Sequence, residues 1–277
     1  MFSFSHDPFV ERLQQCAGSP WTLFEAQQHL DNLVLQPLPL SSDDSNANAA
    51  SYVDFLANSF HRRLLHCFVG MNGSRNWPLE TLLKQTRPPS PQALIEALEQ
   101  CCFWQIALFD IAASTWQGHP RLAPLNNLGW TFEWVIQALL EREYDALVRR
   151  HVHLGEIAVL GEIDILALLP DGRSLLIECK SSSKGLTDRQ LDRFIAKAQG
   201  FPGASALLLI DTDDPHQMQQ RMGQFGMAVQ RAYGDASLGA IQRSGGCSVV
   251  HLRERLSVAD TGGGIITALQ AVLAEPA

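Results

Sequence analysis

Two apolar runs of strand length, Ile163 to Leu169 and Ser174 to Lys180, are separated only by Pro170-Asp171-Gly172-Arg173. Turn residues between two such runs force an antiparallel hairpin on the middle of the chain. Proline fixes φ at the first loop position and glycine suits the left-handed position of a G1 bulge, so Pro170, Asp171 and Gly172 are expected to form a three-residue loop with Leu169 facing Arg173. Counting back along both strands sets Asp164 opposite Glu178 and Glu162 opposite Lys180, all on one face. A two-residue loop at Asp171-Gly172 shifts the register by one and turns Asp164 away from Glu178 and Lys180. The turn chemistry therefore decides whether these groups meet.

Two carboxylates placed opposite each other repel, at a cost of up to about 1 kcal/mol. A divalent cation between them reverses the sign. Oxygen donors without His or Cys suit Mg²⁺, with Mn²⁺ as a substitute, because these hard ions keep several waters and also take phosphate oxygens. Lys180, two residues beyond Glu178, can hold an attacking water or offset charge developing on a phosphoryl group. Cys179 points to the opposite face, but its backbone carbonyl can still reach a metal. The alternative is an ordinary surface hairpin in which Glu162 and Lys180 form a cross-strand ion pair.

Gly161-Glu162-Ile163-Asp164, a turn, and Glu178-Cys179-Lys180 at the end of an apolar strand resemble the PD-(D/E)XK restriction-endonuclease-like nucleases, particularly the Mrr-like and Holliday-junction-resolvase-like branches. The resemblance spans residues 125 to 215 or so, under half of the chain. It implies an α/β fold with a restriction-endonuclease-like core, a mixed central sheet flanked by helices. The expected order is a helix, a three-strand antiparallel meander, a second helix and a further strand. It also implies Mg²⁺-dependent phosphodiester hydrolysis, with Asp164 and Glu178 as ligands, Lys180 assisting the water, and Glu133 on the first helix as a further acidic member that joins the catalytic and metal-binding set. On periodicity alone Glu133 lies at the edge of the buried stripe Leu128, Phe132, Val135, Ile136 and Leu139, a place where a carboxylate is usually solvated.

Beyond Lys180, Thr187 and Gln190 form a capping box that opens a helix running to about Gln199. Arg189, Arg193 and Lys197 recur four apart on it, a like-charge row that a phosphate backbone relieves. An Arg189–Asp192 pair on a solvated face is the alternative. Ser182, Lys184, Arg189 and Arg193 are the candidate nucleic-acid contacts. Ala206 to Ile210 is expected as a strand buried on both faces. The acidic Asp211-Thr212-Asp213-Asp214 is expected to be a turn that caps a helix starting at Pro215, rather than a second metal site.

The net charge of −8 opposes nucleic-acid binding, which Lys and Arg drive. Proposed metal ligands account for part of it, and the local field counts for more than the total. Without a basic tail or zinc finger, binding is expected to depend on a partner protein or a homodimer. No run reaches the roughly 18 apolar residues of a membrane span, and the N-terminus lacks signal-peptide character. The expectation is a cytoplasmic protein with no membrane partner. The six cysteines are scattered in apolar segments and are expected as reduced core thiols.

Three regions are expected. Residues 1–120 form a mainly helical N-terminal domain for docking or for binding a partner or substrate, with helices opening at Ser19-Pro20 and Ser90-Pro91, another from Tyr52 to Val69, and a polar loop at Ser41 to Asn48. An apolar face continues through Phe103, Trp104, Ala107, Leu108 and Ile111. Residues 121–232 form the nuclease-like core. Residues 233–277 form an extension with an edge strand at Ser248 to Leu252, a glycine hinge at Gly262 to Gly264, and a helix at Ile265 to Leu273. The function expected is a Mg²⁺-dependent nuclease, most simply a DNA endonuclease in defence, repair, recombination or mobile-element processing. The alternative is a non-catalytic nuclease-fold module serving a larger nucleic-acid-handling assembly.

Overall fold

The computed structural model describes residues 9, 23–25, 45–69, 75–123, 125, 128–154, 161–181, 186–201, 203–235 and 238–274. The chain divides into two compact units, one of residues 28–135 and one of residues 1–27 with 136–277. This division falls inside a helix, rather than near residue 120.

Leu23–Glu25 is β1, part of the second unit. The 28–135 unit contains α1 (Ser45–Ala57), α2 (Ser59–Phe68), α3 (Leu79–Thr86) and α4 (Pro91–Phe103), followed by the hairpin of β2 (Ala107–Asp110) and β3 (Thr115–Gly118). The single helix expected over Tyr52 to Val69 is two helices. Asn58 breaks it by turning extended, and its side chain accepts the Phe60 N–H at 2.9 Å, a new N-cap. The carbonyls freed at the end of α1 are taken by the buried Arg62, which donates to Leu56 and Ala57 at 2.6 and 2.8 Å while lying 5.3 Å over the Phe132 ring. Residues 45–48 are helical, so the polar loop expected there is at least one turn shorter; Ser19-Pro20 lies outside the described residues. Ser90 caps α4 as expected, accepting the Ala93 N–H at 3.1 Å. The apolar face expected after it holds in part, since Trp104 and Ala107 are buried while Phe103, Leu108 and Ile111 are exposed. The helix ends at Phe103, Leu108 and Phe109 lie on a strand, and Ile111 is 84 % exposed.

The larger unit is a mixed α/β structure. Its elements are the C-terminal part of α5 (Gly129–Tyr144), β4 (Leu147–Leu154), β5 (Ile163–Leu168), β6 (Ser174–Lys180), α6 (Asp188–Gly200), β7 (Ala204–Ile210), α7 (Pro215–Tyr233), β8 (Gln242–Ser244), β9 (Cys247–Arg253), β10 (Leu256–Asp260) and α8 (Ile265–Leu273). The strands form one eight-stranded sheet in the order β1-β4-β5-β6-β7-β10-β9-β8. β4, β5 and β6 are an antiparallel meander, and β7 is parallel to both β6 and β10. One face of the sheet, carrying Leu166, Leu168, Leu176 and Leu208, packs against Leu191, Phe194 and Ile195 of α6 and Phe225, Ala228 and Val229 of α7.

Two expectations for the C-terminal segment fail. Ser248 to Leu252 is not an edge strand, because β10 inserts between β7 and β9 and the short β8 takes the edge. Gly262 to Gly264 is not a hinge. A Cβ on Gly263 would lie 1.9 Å from the Gly245 carbonyl oxygen, so glycine is needed there for two backbone turns to touch. Among the described residues no helix is long and apolar enough to cross a membrane. Cys67, Cys101, Cys179 and Cys247 are buried free thiols, Cys102 is a half-buried one, and Cys16 lies outside the described residues.

Candidate active site

The β5–β6 hairpin closes through a three-residue loop. The Leu169 N–H donates to the Arg173 carbonyl at 2.8 Å and the Gly172 N–H to the Leu169 carbonyl at 3.0 Å. Gly172 adopts φ +90°, a value only glycine takes without strain. The ladder pairs Leu168 with Ser174, Ala167 with Leu175, Leu166 with Leu176 and Ile165 with Ile177. One further step brings Asp164 to Glu178, the register that the three-residue loop predicts.

At that end the strands part, and side chains replace the ladder. Asp164 Oδ2 accepts the Cys179 N–H at 2.7 Å. Glu178, only 8 % exposed, is bracketed by two ammonium groups. Lys197 of α6 is hydrogen-bonded to Glu178 Oε1 and to the Glu162 carbonyl. Lys180 Nζ lies 3.9 Å from Oε2 and donates to the Cys179 carbonyl at 3.1 Å. Burial, and next the Asp164 charge, push the Glu178 carboxyl up to about 7 from its ordinary 4.5, outweighing Lys197 and Lys180. Burial raises Asp164 as well, against the opposing pull of Lys180, the Cys179 N–H and Lys197.

Glu162 does not meet Lys180. Where β5 and β6 separate it turns to β4, with His151 Nδ1 3.4 Å from its Oε1 and His153 Nε2 3.9 Å from its Oε2. The hydrogen bond to His151 holds this carboxyl below its usual range. His151, buried and at φ +55°, lies level with Asp164, since Arg150 pairs with Ile165 and Val152 with Ile163.

Arg189 and Arg193 are exposed on α6, but Lys197 leaves their row. Each four-residue step advances about 40° around a helix, so two steps carry the third position round to the buried edge. Asp192 pairs with Arg231 of α7 at 2.8 Å rather than with Arg189. Ser182 and Lys184 lie outside the described residues. Glu133 is on the second turn of α5, buried at 6 % exposure, within the 28–135 unit. The acidic run after β7 serves local structure. Asp214 caps α7 by accepting the His216 N–H at 3.0 Å, and Asp211 accepts the Thr261 hydroxyl at 2.8 Å.

Sequence reasoning missed Lys197 as the partner of Glu178, and missed His151 and His153. The histidines had a signal in His151-Val152-His153, alternate positions on a strand next to the hairpin. Among the described residues no group of three or more His, Cys, Asp or Glu side chains is arranged to hold a metal ion. The oxygen donors present are the Asp164 and Glu178 carboxylates and the Cys179 carbonyl.

No protein-family model matches the chain, and no curated protein matches it. Among solved structures it is similar to the crystal structure of protein VC1899 from Vibrio cholerae, with 13 % identity and a TM-score of 0.36. That match covers 77 % of this chain and 55 % of the other, so the chain spans about half the length of that protein.

Proposed function

We propose that the chain is a Mg²⁺-dependent phosphodiesterase with a restriction-endonuclease-like core, acting on nucleic acid, with DNA as the substrate. The observation that carries the reading is the convergence of Asp164, Glu178 and Lys180 at the open end of one hairpin. The order α5, the β4–β6 meander, α6 and β7 supports it, being the order that the resemblance implies.

The donors fit a hard cation, since Mg²⁺ is commonly held by one or two carboxylates and completes its shell with water and substrate phosphate. Asp164, Glu178 and the Cys179 carbonyl would hold it, and when bound it would supply charge against a phosphoryl oxygen and acidify a water. The remaining work falls to the chain's own groups. The Cys179 amide fixes one oxygen of Asp164 and so orients the other. Lys180, with its side chain 21 % exposed and tethered to the Cys179 carbonyl, retains N–H donors that can hold a water or a phosphate oxygen.

One observation favours the alternative of a non-catalytic module. Lys180 and Lys197 already balance the two carboxylates, as in a purely structural ion cluster. Supercoiled plasmid, linear duplex, branched DNA and RNA, each incubated with Mg²⁺ or Mn²⁺, separate the two readings. Metal-dependent cutting that falls at least about 100-fold in Lys180→Ala is the expected result, and Glu133→Gln is tested in the same assay. Absence of cutting on every substrate, or equal cutting by the Lys180 variant, refutes the enzyme.

A further inference from the structure

We infer that Lys197 sets the cation preference of this site, by holding one oxygen of Glu178 and leaving the other as its single ligand atom. The inference rests on the proposed function above and adds the selectivity of its metal. Lys197 is the buried member of the lysine pair, with 6 % of its side chain exposed, and it is fastened twice, to Glu178 Oε1 and to the Glu162 carbonyl. Lys180 is more exposed, and its 3.9 Å approach to Oε2 is longer than a hydrogen bond. A cation approaching Glu178 therefore meets a weakly held Oε2 and a firmly held Oε1.

A carboxylate restricted to one oxygen suits Mg²⁺, which demands near-octahedral geometry with short bonds and keeps its waters. Ca²⁺ takes more ligands and gains most from carboxylates that offer both oxygens. Lys197 thus disfavours the larger ion without touching it. It has a second effect on charge. Three carboxylates, Glu162, Asp164 and Glu178, face the ammonium groups of Lys180 and Lys197, so a divalent cation turns the pocket from net negative to net positive, which draws a phosphodiester toward a chain whose overall charge is −8.

The test is calorimetric titration of the full chain with MgCl₂ and, separately, CaCl₂ at pH 8, for wild type, Lys197→Met and Lys197→Arg, with folding checked by circular dichroism. Wild type is expected to take up Mg²⁺ more tightly than Ca²⁺. Lys197→Met, with Oε1 released, is expected to shift the ratio toward Ca²⁺ by on the order of tenfold. Lys197→Arg, which keeps a cationic donor on Oε1, is expected to retain the wild-type ratio. A Lys197→Met ratio equal to wild type, or a Lys197→Arg ratio shifted as far as that of Met, overturns the inference. So does a wild type that binds Ca²⁺ as tightly as Mg²⁺, a result that needs no variant. Wild type that takes up no Mg²⁺, and none of the Mn²⁺ titrated as a control, overturns the function on which the inference rests; uptake with an unshifted ratio overturns the inference alone.

Discussion

Replacing Glu178 with Gln is expected to stabilise the metal-free protein at alkaline pH, although it removes one partner of a buried ion pair. The Glu178 carboxyl is raised from 4.5 to about 7 in the folded chain, because burial and the Asp164 charge outweigh Lys197 and Lys180. The folded state therefore binds this proton more tightly than the unfolded one. Below about pH 4.5 the group is protonated in both states and its full contribution to stability is present. As pH rises toward 7 the unfolded chain ionises first and that contribution is lost. A rise from 4.5 to about 7 corresponds to roughly 3 to 4 kcal/mol. Glutamine has no such proton to lose, and removing the Glu178 charge also eases the ionisation of Asp164, which acts in the same direction.

The assay is urea unfolding of wild type and Glu178→Gln in EDTA, at intervals from pH 4 to pH 8.5, followed by circular dichroism. The proteins should be close in stability at pH 4 and diverge between pH 4.5 and 7. For a denaturant slope of about 3 kcal/mol per molar, the divergence moves the midpoint by about 1 M. If the two midpoints run parallel across the range, or wild type gains on the variant as pH rises, the electrostatic account of the site is wrong. Mg²⁺ at 100 times its dissociation constant should return about 2.7 kcal/mol to wild type, and much less to the variant.

Two further predictions concern the scaffold. Gly263→Ala should cost about 3 kcal/mol or prevent folding, because the new Cβ meets the Gly245 carbonyl at 1.9 Å, where only backbone can yield. Gly223→Ala on α7 meets nothing within 4 Å and should gain up to about 1 kcal/mol, so thermal denaturation of the pair separates close packing from loss of glycine itself. Thr187→Ala removes the side-chain acceptor of the α6 capping box, in which Gln190 Oε1 takes the Thr187 N–H at 2.9 Å and Thr187 Oγ1 takes the Gln190 N–H at 3.3 Å. It should cost about 1 kcal/mol by urea denaturation.

Much of the larger unit was legible in the residues. The hairpin register followed from Pro170, Asp171 and Gly172, since loop length sets pairing and a period of two carries it along both strands. The α6 capping box, the Asp214 cap before Pro215 and the Ser90 cap before Pro91 were legible for the same reason. Each is a contact among residues a few positions apart, with a single chemically favoured geometry. In the 28–135 unit, Asn58 shows the limit of such reading. The apolar period runs on past it, and the break combines the local Asn58 cap with a non-local part, the capture of the α1 carbonyls by the buried Arg62.

The sequence by itself determined which residues cap, turn and alternate, and with them the meeting of Asp164 and Glu178. The tertiary structure decided what balances those charges. Lys197 reaches Glu178 from 19 residues away and the Glu162 carbonyl from 35, because α6 packs its Leu191, Phe194 and Ile195 face on the sheet and brings the edge of that face to the hairpin's open end. Glu162 turned to His151 and His153 because the β5–β6 ladder stops at Ile165 and Ile177. Pairing within a turn is settled by bond geometry over a few residues. Pairing across a core depends on which faces bury the most apolar surface, a sum over the whole chain that no local motif encodes.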